Sequence, residues 1–215
     1  MYDRIEEGAL WPSAANHAKA TYLVKDEKKL DDPLSYRGLL ITTLIYRLYG
    51  SLRLGDMSPW VKEWALPSMY AGVPGAGAED AAWLTALEME YCDLHNIPAS
   101  AGGADIRKCF DVMIRQLVYF ILWLGGCPHG VLTAYRNMLE HMIIYNSIAS
   151  GLGKGHQRPC GIPQGCPFSM MIIALLMRPW LLIIQQTKAK PRVLADDVFL
   201  FAAGEWHLEQ LTQGY

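Results

Sequence analysis

The alternation of apolar and polar residues predicts a mixed chain of helices and strands, and its clearest feature lies near the C-terminal end. Residues 193–201 (VLADDVFLF) place two aspartates between two short apolar runs, each too short for a globular helix. This pattern is typical of strand, tight turn and strand, with Asp196 and Asp197 at the bend. Aspartate is also a common turn residue, because its side chain can hydrogen-bond the nearby backbone, so this stretch alone leaves a purely structural role open.

Upstream of this hairpin, the pattern predicts a strand followed by a helix. Residues 20–25 (ATYLVK) have the β-branched and aromatic content of a strand, which would end at Lys25. Thr42 or Thr43 can then cap a helix that runs to about Leu54.

A glycine-rich loop separates this helix from the next elements. Residues 72–77 (GVPGAG) form the loop, and the acidic residues at 79 and 80 favour the start of a helix that runs to about His95. The glycines lack the spacing of a dinucleotide-binding fingerprint. Residues 104–110 then predict a strand that passes into a long apolar helix, which two glycines at 125 and 126 would end.

Two more helices are expected before the hairpin. Pro128 can open a helix over residues 129–148, where apolar residues recur at helical spacing. The longest apolar run, 166–177, breaks at Arg178 and Pro179 and is too short to span a membrane. We interpret it as a buried helix.

Composition narrows the class of protein. The chain has 215 residues, of which 52% are hydrophobic and 19% charged, so it has the length of one domain, or most of one, and is not a disordered chain. A net charge of −2 gives no global basic field of the kind that marks many nucleic-acid binders.

The cysteines and histidines favour an intracellular protein without a zinc site. Five cysteines form no CxxC pair, which indicates reduced thiols. Six histidines lack metal-ligand spacing. The first ten residues carry four charges and no apolar core, so we expect no signal peptide.

Three motifs in order suggest a family. The stretches ADIRKCFD (104–111), GIPQGCPFS (161–169) and LADD (194–197) resemble the three core motifs of reverse transcriptases, in the family's order and at similar separations. Lysine at the third place after Asp105, with FD following, is most similar to retrotransposons without long terminal repeats and to group II intron enzymes. Residues 20–25 and the arginine of SYRGLL resemble the family's fingers motifs, so the resemblance covers most of the chain from about Thr21.

The resemblance implies an α+β fold with a partial fingers region and a palm, in which a small antiparallel sheet is backed by helices. Residues 20–100 would form the fingers and the segment between fingers and palm, and residues 101–215 the palm core, without a thumb. The sheet would carry Asp105 opposite the hairpin with Asp196 and Asp197.

The implied activity is RNA-directed DNA polymerisation on an RNA template, from a DNA primer and deoxynucleoside triphosphates. By matched position, Asp105, Asp196 and Asp197 would be the catalytic residues and would bind two Mg²⁺ ions, with Mn²⁺ as the alternative. Transfer of a nucleotidyl group needs such a pair of ions, and Mg²⁺ prefers oxygen ligands. A retroelement protein would act in the nucleus, although no nuclear signal is evident.

The resemblance also implies a nucleotide pocket. Lys25 and Arg37 would hold the triphosphate, a task suited to a point charge and a forked guanidinium. Phe110 would close over the sugar and reject a 2'-hydroxyl, and Gln164 with Gly165 would contact nucleotide and template. For Phe110 the competing explanation is core packing, and for Lys25 it is an exposed loop lysine.

Some positions depart from the family pattern and leave alternatives open. Gly38 stands where proline is usual, and Leu194 where an aromatic residue often precedes the motif. An RNA-copying RNA polymerase usually has a second aspartate where this chain has Phe110. The near-neutral charge and the short segment after the hairpin favour the other alternative, an inactive retroelement remnant or a module that binds nucleic acid without catalysis.

Overall fold

The computed structural model describes residues 1–32, 35–148 and 151–214, which form two compact units. Unit 1 consists of Met1–Met57 and Lys108–Ser169, and unit 2 consists of Ser58–Arg107 and the residues from Met170 onward. Each unit therefore combines segments that are remote in the chain, and each contains its own β-sheet.

Unit 1 is built around a mixed four-stranded sheet in the order β2-β1-β4-β5. Its strands are β1 (His17–Val24), β2 (Tyr36–Thr42), β4 (Ile143–Ile148) and β5 (Gly151–Leu152). Strand β1 is antiparallel to β2 and parallel to β4, and β4 is antiparallel to β5. Its helices are α1 (Tyr2–Glu6), α2 (Leu44–Asp56), α5 (Cys109–Val112), α6 (Arg115–Leu124) and α7 (His129–His141).

Aromatic side chains fill the core of unit 1. Trp11 meets Tyr46 edge-on at 5.4 Å between ring centroids, and Tyr135 meets Phe168 in the same way at 5.9 Å. The indole Nε1 of Trp11 donates a 2.8 Å hydrogen bond to the carbonyl of Ala134. Such edge-to-face pairs, with the polar edge of the indole satisfied, stabilise a core beyond the area that they bury.

Unit 2 contains a three-stranded antiparallel sheet in the order β3-β7-β6. Its strands are β3 (Ala99–Asp105), β6 (Lys190–Leu194) and β7 (Asp197–Ala203). Its helices are α3 (Ser58–Trp64), α4 (Ala78–Leu94), α8 (Ser169–Ile184) and α9 (His207–Gly214). The residues of α8 from Met170 onward belong to this unit. No helix in the described ranges is both long and apolar enough to cross a bilayer.

The two faces of the sheet in unit 2 differ in polarity. Val193, Val198 and Leu200 project to one face and are buried, while Asp197 and Phe199 project to the other. Leu200 has no exposed surface. On the opposite face Asp197 is exposed, whereas Arg192 and Phe201 are buried.

The structure confirms the α+β class, the antiparallel sheet backed by helices, and the hairpin. Strands β6 and β7 pair as predicted, with Ala195 and Asp196 forming the turn between them. Helix α4 also lies where the acidic residues at 79 and 80 predicted it, and Thr43 is the N-cap of α2. The hydroxyl of Thr43 does not cap the helix, however, because it donates to the carbonyl of Ala15 instead.

The strand predicted over residues 104–110 was wrong. Strand β3 begins at Ala99 and ends at Asp105, and Phe110 lies on the short helix α5. Alanine and glycine, which dominate β3, have low strand propensity, so the segment gave no local signal. Its seven residues are held as a strand by pairing with β7.

One helix boundary also differs from prediction. The helix expected over residues 129–148 ends at His141, and Ile143–Ile148 form β4 because they pair with β1. The apolar run over residues 166–177 lies mostly in α8, which continues through Arg178 and Pro179 to Ile184. Leu181 and Ile184 are buried, and this burial keeps the last turns in place despite the missing N–H.

Leu200 tests how strongly the sheet of unit 2 depends on its buried face. We expect Leu200→Ala to lower the free energy of unfolding by about 2–5 kcal/mol, because it leaves a cavity where a fully buried side chain stood. Urea unfolding measures the change. Leu208→Ala, at a side chain that is 66% exposed, is the matched control and is expected to change stability by less than about 0.5 kcal/mol.

Candidate functional site

Two aspartates from remote parts of the chain stand side by side on the sheet of unit 2. Asp105, the last residue of β3, pairs directly with Asp197, the first residue of β7. Residues that pair across antiparallel strands have Cα atoms roughly 4.5–5.5 Å apart and side chains on the same face. Leu194 of β6 is the partner of Asp197 on its other side, so the three residues form one row across the sheet.

The turn of the hairpin positions these aspartates. Ala195 has a φ of +59°, which is the left-handed conformation that a tight two-residue turn requires. Asp196 follows it, and its carbonyl accepts a 3.4 Å hydrogen bond from the amide of Ile106, the residue after Asp105. The backbone therefore connects the turn to the end of β3 and keeps Asp105 and Asp197 in register.

Asp105 and Asp197 are both exposed, and Asp196 is half-buried. Among residues 1–32, 35–148 and 151–214, no group of three or more His, Cys, Asp or Glu side chains is arranged to hold a metal ion. The pair Asp105 and Asp197 nevertheless fits Mg²⁺, which takes one or two protein carboxylates and completes its shell with water and phosphate oxygens. Asp196 is their neighbour in the chain, at the turn.

Two further rows lie on the same face behind the aspartates. Gly103, Phe199 and Arg192 form the second row, and Ala101, Phe201 and Lys190 form the third. Neighbouring rows on one face are two residues apart along each strand, which is roughly 7 Å. The face is therefore acidic at its end, and each of the two rows behind it combines a phenylalanine of β7 with a basic residue of β6.

Glu88 of α4 forms ion pairs with both basic residues of this face. Lys190 Nζ donates to Glu88 Oε1 at 2.7 Å, and Arg192 Nη2 donates to Glu88 Oε2. Partial burial by itself would raise the pKa of Glu88, but hydrogen bonds from Lys190 and Arg192 outweigh it, and the pKa is lowered. Glu88 is therefore ionised at neutral pH and neutralises positive charge next to the aspartate row.

The residues predicted to bind the triphosphate lie together in unit 1. Arg37 of β2 is exposed and pairs with Leu23 of β1. Lys25 directly follows β1, is also exposed, and its amide donates a 2.7 Å hydrogen bond to the carbonyl of Ser35. Both cationic side chains thus stand at the same end of one hairpin.

The turn that contains Gln164 and Gly165, which was predicted to contact nucleotide and template, packs against β2. The amide of Leu40 donates a 2.9 Å hydrogen bond to the carbonyl of Gln164. Gly165 has a φ of +111°, and a Cβ atom there would lie 2.9 Å from the carbonyl oxygen of Leu40. A glycine is required here by both the backbone conformation and the close approach of β2.

Phe110 is held next to the same turn. Its carbonyl accepts a 2.8 Å hydrogen bond from the amide of Ile162, two residues before Gln164, and its side chain is half-buried. The structure of unit 1 therefore groups Lys25, Arg37, Gln164 and Gly165 along β2, with Phe110 beside the turn, and unit 2 groups the aspartates. The roles assigned to these residues stay predictions.

Sequence analysis did not single out Arg115, although it anchors this turn. Its side chain is 5% exposed; Nε donates to the carbonyl of Gly161 at 3.0 Å and Nη1 to that of Leu139 at 2.9 Å. A buried guanidinium is costly unless it is hydrogen-bonded, so these bonds fix the start of the turn. The available signal was an arginine at the start of a helix that is apolar from Leu117 onward.

Comparison with solved structures identifies the class of fold. Apo telomerase from Candida tropicalis, truncated from its C-terminal domain, matches with a TM-score of 0.61 at 11% sequence identity, over 99% of this chain and 49% of that chain. Telomerase from Candida albicans, in complex with a TWJ fragment of telomeric RNA, matches with a TM-score of 0.52 at 12% identity, over 99% of this chain and 41% of that chain. The chain has a reverse-transcriptase-like fold.

The chain spans half or less of the length of either telomerase chain, and identities of 11% and 12% carry the fold alone. No protein-family model and no curated protein sequence matches the chain. The similarity therefore confirms the coarse expectation of a reverse-transcriptase-like fold and does not support the finer expectation of a retrotransposon or group II intron type.

Substitution of Gly165 tests whether the close approach of the turn to β2 constrains the fold. We expect Gly165→Ala to lower the free energy of unfolding of unit 1 by at least about 1 kcal/mol more than Gly8→Ala does. Gly8 has a similar φ of +108° but nothing within 4 Å of an added Cβ, so it isolates backbone strain from the contact with Leu40. Equal losses in denaturant unfolding of the two variants would show that the close approach to β2 is not a constraint.

The ion pairs of Glu88 predict a specific pH dependence. Because the folded-state pKa of Glu88 is lowered, its contribution to stability is present above the ordinary pKa of glutamate and is lost as the pH falls through the lowered value. We expect Glu88→Gln to cost about 1 kcal/mol at pH 7 and progressively less in acid. Unfolding measured from pH 7 to 3 checks this. Glu90→Gln, exposed on the same helix, is the charge-matched control.

Proposed function

We propose that this chain is the catalytic portion of an RNA-directed DNA polymerase. In this reaction the 3'-hydroxyl of a DNA primer on an RNA template attacks the α-phosphate of a deoxynucleoside triphosphate, and pyrophosphate leaves. One observation carries the proposal: Asp105 and Asp197, from two of the matched motifs, are direct partners in the sheet and share an exposed face. The reverse-transcriptase-like fold supports it.

The proposed reaction needs divalent cations, and the carboxylates of the aspartate row would bind them. Asp105 and Asp197 would hold Mg²⁺, with Mn²⁺ as the alternative, and Asp196 is the neighbouring residue that would complete the set. Bound in a pair, such ions activate the attacking oxygen and stabilise the leaving one. Because Asp105 and Asp197 are exposed on one face, phosphate oxygens and water can reach the same ion from solvent.

The exposed cations and the turn of unit 1 would bind the nucleotide. Arg37 and Lys25 would pair with its phosphates, since both side chains are exposed and positively charged. Gln164 and Gly165 would contact nucleotide and template, and Phe110 would exclude a 2'-hydroxyl. Support comes from their common location along β2 and beside the turn.

The type of element and the place of action are further parts of the proposal. The form of the motif that begins with Asp105 supports a retroelement of the type without long terminal repeats, or of group II introns, whereas the structural neighbours are telomerases. An intracellular protein that acts in the nucleus agrees with such an origin and with five cysteines that form no CxxC pair.

A module that binds nucleic acid without catalysis is the second candidate. One observation favours it: the described residues contain no ready cluster of three metal-binding side chains. In that case Asp105 and Asp197 would contribute to the fold through the strand pairing and not through a cation.

Primer extension separates the two candidates. We expect the wild-type protein to extend a DNA primer on an RNA template with Mg²⁺, and Asp197→Asn to reduce the rate by more than about 100-fold, because it removes a metal-binding carboxylate. Asp93→Asn, at an exposed position of α4, removes the same charge away from the row and is expected to retain the rate.

Equal rates for wild type and Asp197→Asn would remove the polymerase proposal. A thermal shift with Mg²⁺ gives an independent measure, since an ion that binds only the folded state raises the melting temperature of the wild type. No Mg²⁺-dependent difference between wild type and Asp197→Asn would favour the non-catalytic module.

A further inference from the structure

Helix α4 of unit 2 is apolar on two opposite sides. Its inner side is directed at the sheet, where Ala82, Ala86 and Met89 line a cavity of about 630 Å³ together with Gly103 and Phe199. These three helical residues recur every three or four positions and therefore lie on one side of the helix. A helix that is apolar all round is normally covered all round, so the opposite side of α4 needs an explanation.

The outer side of α4 carries the larger apolar side chains. Four of them recur at i, i+4, i+8 and i+11, which places them in one stripe along about three turns of the helix. This outer stripe consists of Trp83, Leu87, Tyr91 and Leu94. Its side chains are between 44% and 71% exposed. The ring of Tyr91 also lies against that of His95, at 4.2 Å between centroids, which extends the aromatic surface beyond the end of the helix.

The outer stripe has the features of an interaction surface. Single exposed apolar side chains are common on proteins, but a contiguous apolar patch indicates a surface that another molecule covers. Tryptophan and tyrosine are the residues that most often dominate binding energy in such patches. Positions four apart form the ridges by which one helix packs against another. The geometry therefore fits a helical partner.

The charge of α4 is of one sign. Its five charged residues are all acidic, and it contains neither lysine nor arginine. Glu88 forms ion pairs with two basic residues of β6. Glu79, Glu90 and Asp93 are exposed, and within the described part of the chain none of these three takes part in an ion pair. Helical geometry places all three along the same edge of the outer stripe.

This acidic edge decides between the possible occupants of the outer stripe. A second copy of the chain, bound through the same surface, would bring acidic residues against acidic residues. Nucleic acids and anionic bilayers carry negative charge as well and would be repelled. A helix whose apolar stripe is flanked by lysine or arginine complements both the apolar surface and its charge.

We propose that the outer stripe of α4 is a docking surface for a basic amphipathic helix of a partner protein. Apolar side chains of that helix pack on the outer stripe, and its lysine or arginine residues pair with the three exposed acids at the edge. This inference goes beyond the proposed polymerase function, because the docking requires neither the aspartate row nor a metal ion.

A synthetic peptide tests the surface. The probe is a fluorescent helix of about 18 residues, roughly five turns, in which leucines recur at i, i+3, i+4 and i+7 and all other positions are lysine. One reference peptide has glutamate in place of every lysine, and a second has the probe's composition in scrambled order. By fluorescence anisotropy with the full chain, we expect the probe to bind at least about tenfold more tightly than either reference.

Substitutions in the outer stripe assign the binding to α4. Trp83→Ala and Tyr91→Ala remove aromatic anchors and should each weaken binding of the probe at least about fivefold. Trp123→Ala is the matched control: it removes a tryptophan of α6 that is 63% exposed, compared with 67% for Trp83, and should change the affinity by less than about twofold.

A second pair of variants tests the acidic edge. Glu90→Gln combined with Asp93→Asn removes two charges beside the outer stripe and should weaken binding of the probe at least about threefold. Glu205→Gln combined with Glu209→Gln removes two exposed charges outside α4 and should leave the affinity within about twofold of the wild type.

Several results would overturn the proposal. One is equal affinity for the three peptides, and another is a loss of affinity in Trp123→Ala as large as that in Trp83→Ala. Sedimentation that shows a dimer of the full chain, which Trp83→Ala dissociates, would assign the outer stripe to a second copy instead. Binding to phosphatidylserine vesicles that Trp83→Ala abolishes would assign it to a membrane.

Discussion

The pairing of β3 with β7 is the interaction on which the candidate site depends. Seven residues of an alanine- and glycine-rich segment form a strand there, and the register places Asp105 directly opposite Asp197. A slip by one residue would turn the side chain of Asp105 to the opposite face, because strand side chains alternate. The amide of Ile106, which donates to the carbonyl of Asp196, adds a contact at the end of the strand where register matters.

The two faces of this sheet differ in the residues that they carry. Val193, Val198 and Leu200 are buried on one face and provide the hydrophobic contribution to folding. The other face carries the aspartates, Phe199 and the ion pairs of Glu88, and its aspartates are exposed. The aspartates can therefore contact solvent without disturbing the buried residues of the opposite face.

In unit 1, backbone contacts of a turn position the candidate binding residues, as strand pairing positions the aspartates in unit 2. Gly165 and Gln164 contact Leu40 through backbone atoms, and Arg115 holds the start of the turn at Gly161. Backbone contacts of this kind position a loop whatever the neighbouring side chains are, which leaves exposed side chains such as Arg37 free to bind a ligand.

The sequence by itself determined the hairpin of β6 and β7, the start of α4, the α+β class and the resemblance that the reverse-transcriptase-like fold now supports. These depend on local patterns: short apolar runs around a turn, acidic residues at a helix start, and motifs of contiguous residues. Only the tertiary structure decided that Ala99–Asp105 is a strand, that Ile143–Ile148 leaves the preceding helix for β4, and that α8 continues through Pro179. Each of these is imposed by partners remote in the chain, through strand pairing or burial, and intrinsic propensity is too weak to predict it. The cavity beneath α4 belongs to the same class, because it exists only where the small side chains of a helix face a row of glycine and phenylalanine on a sheet.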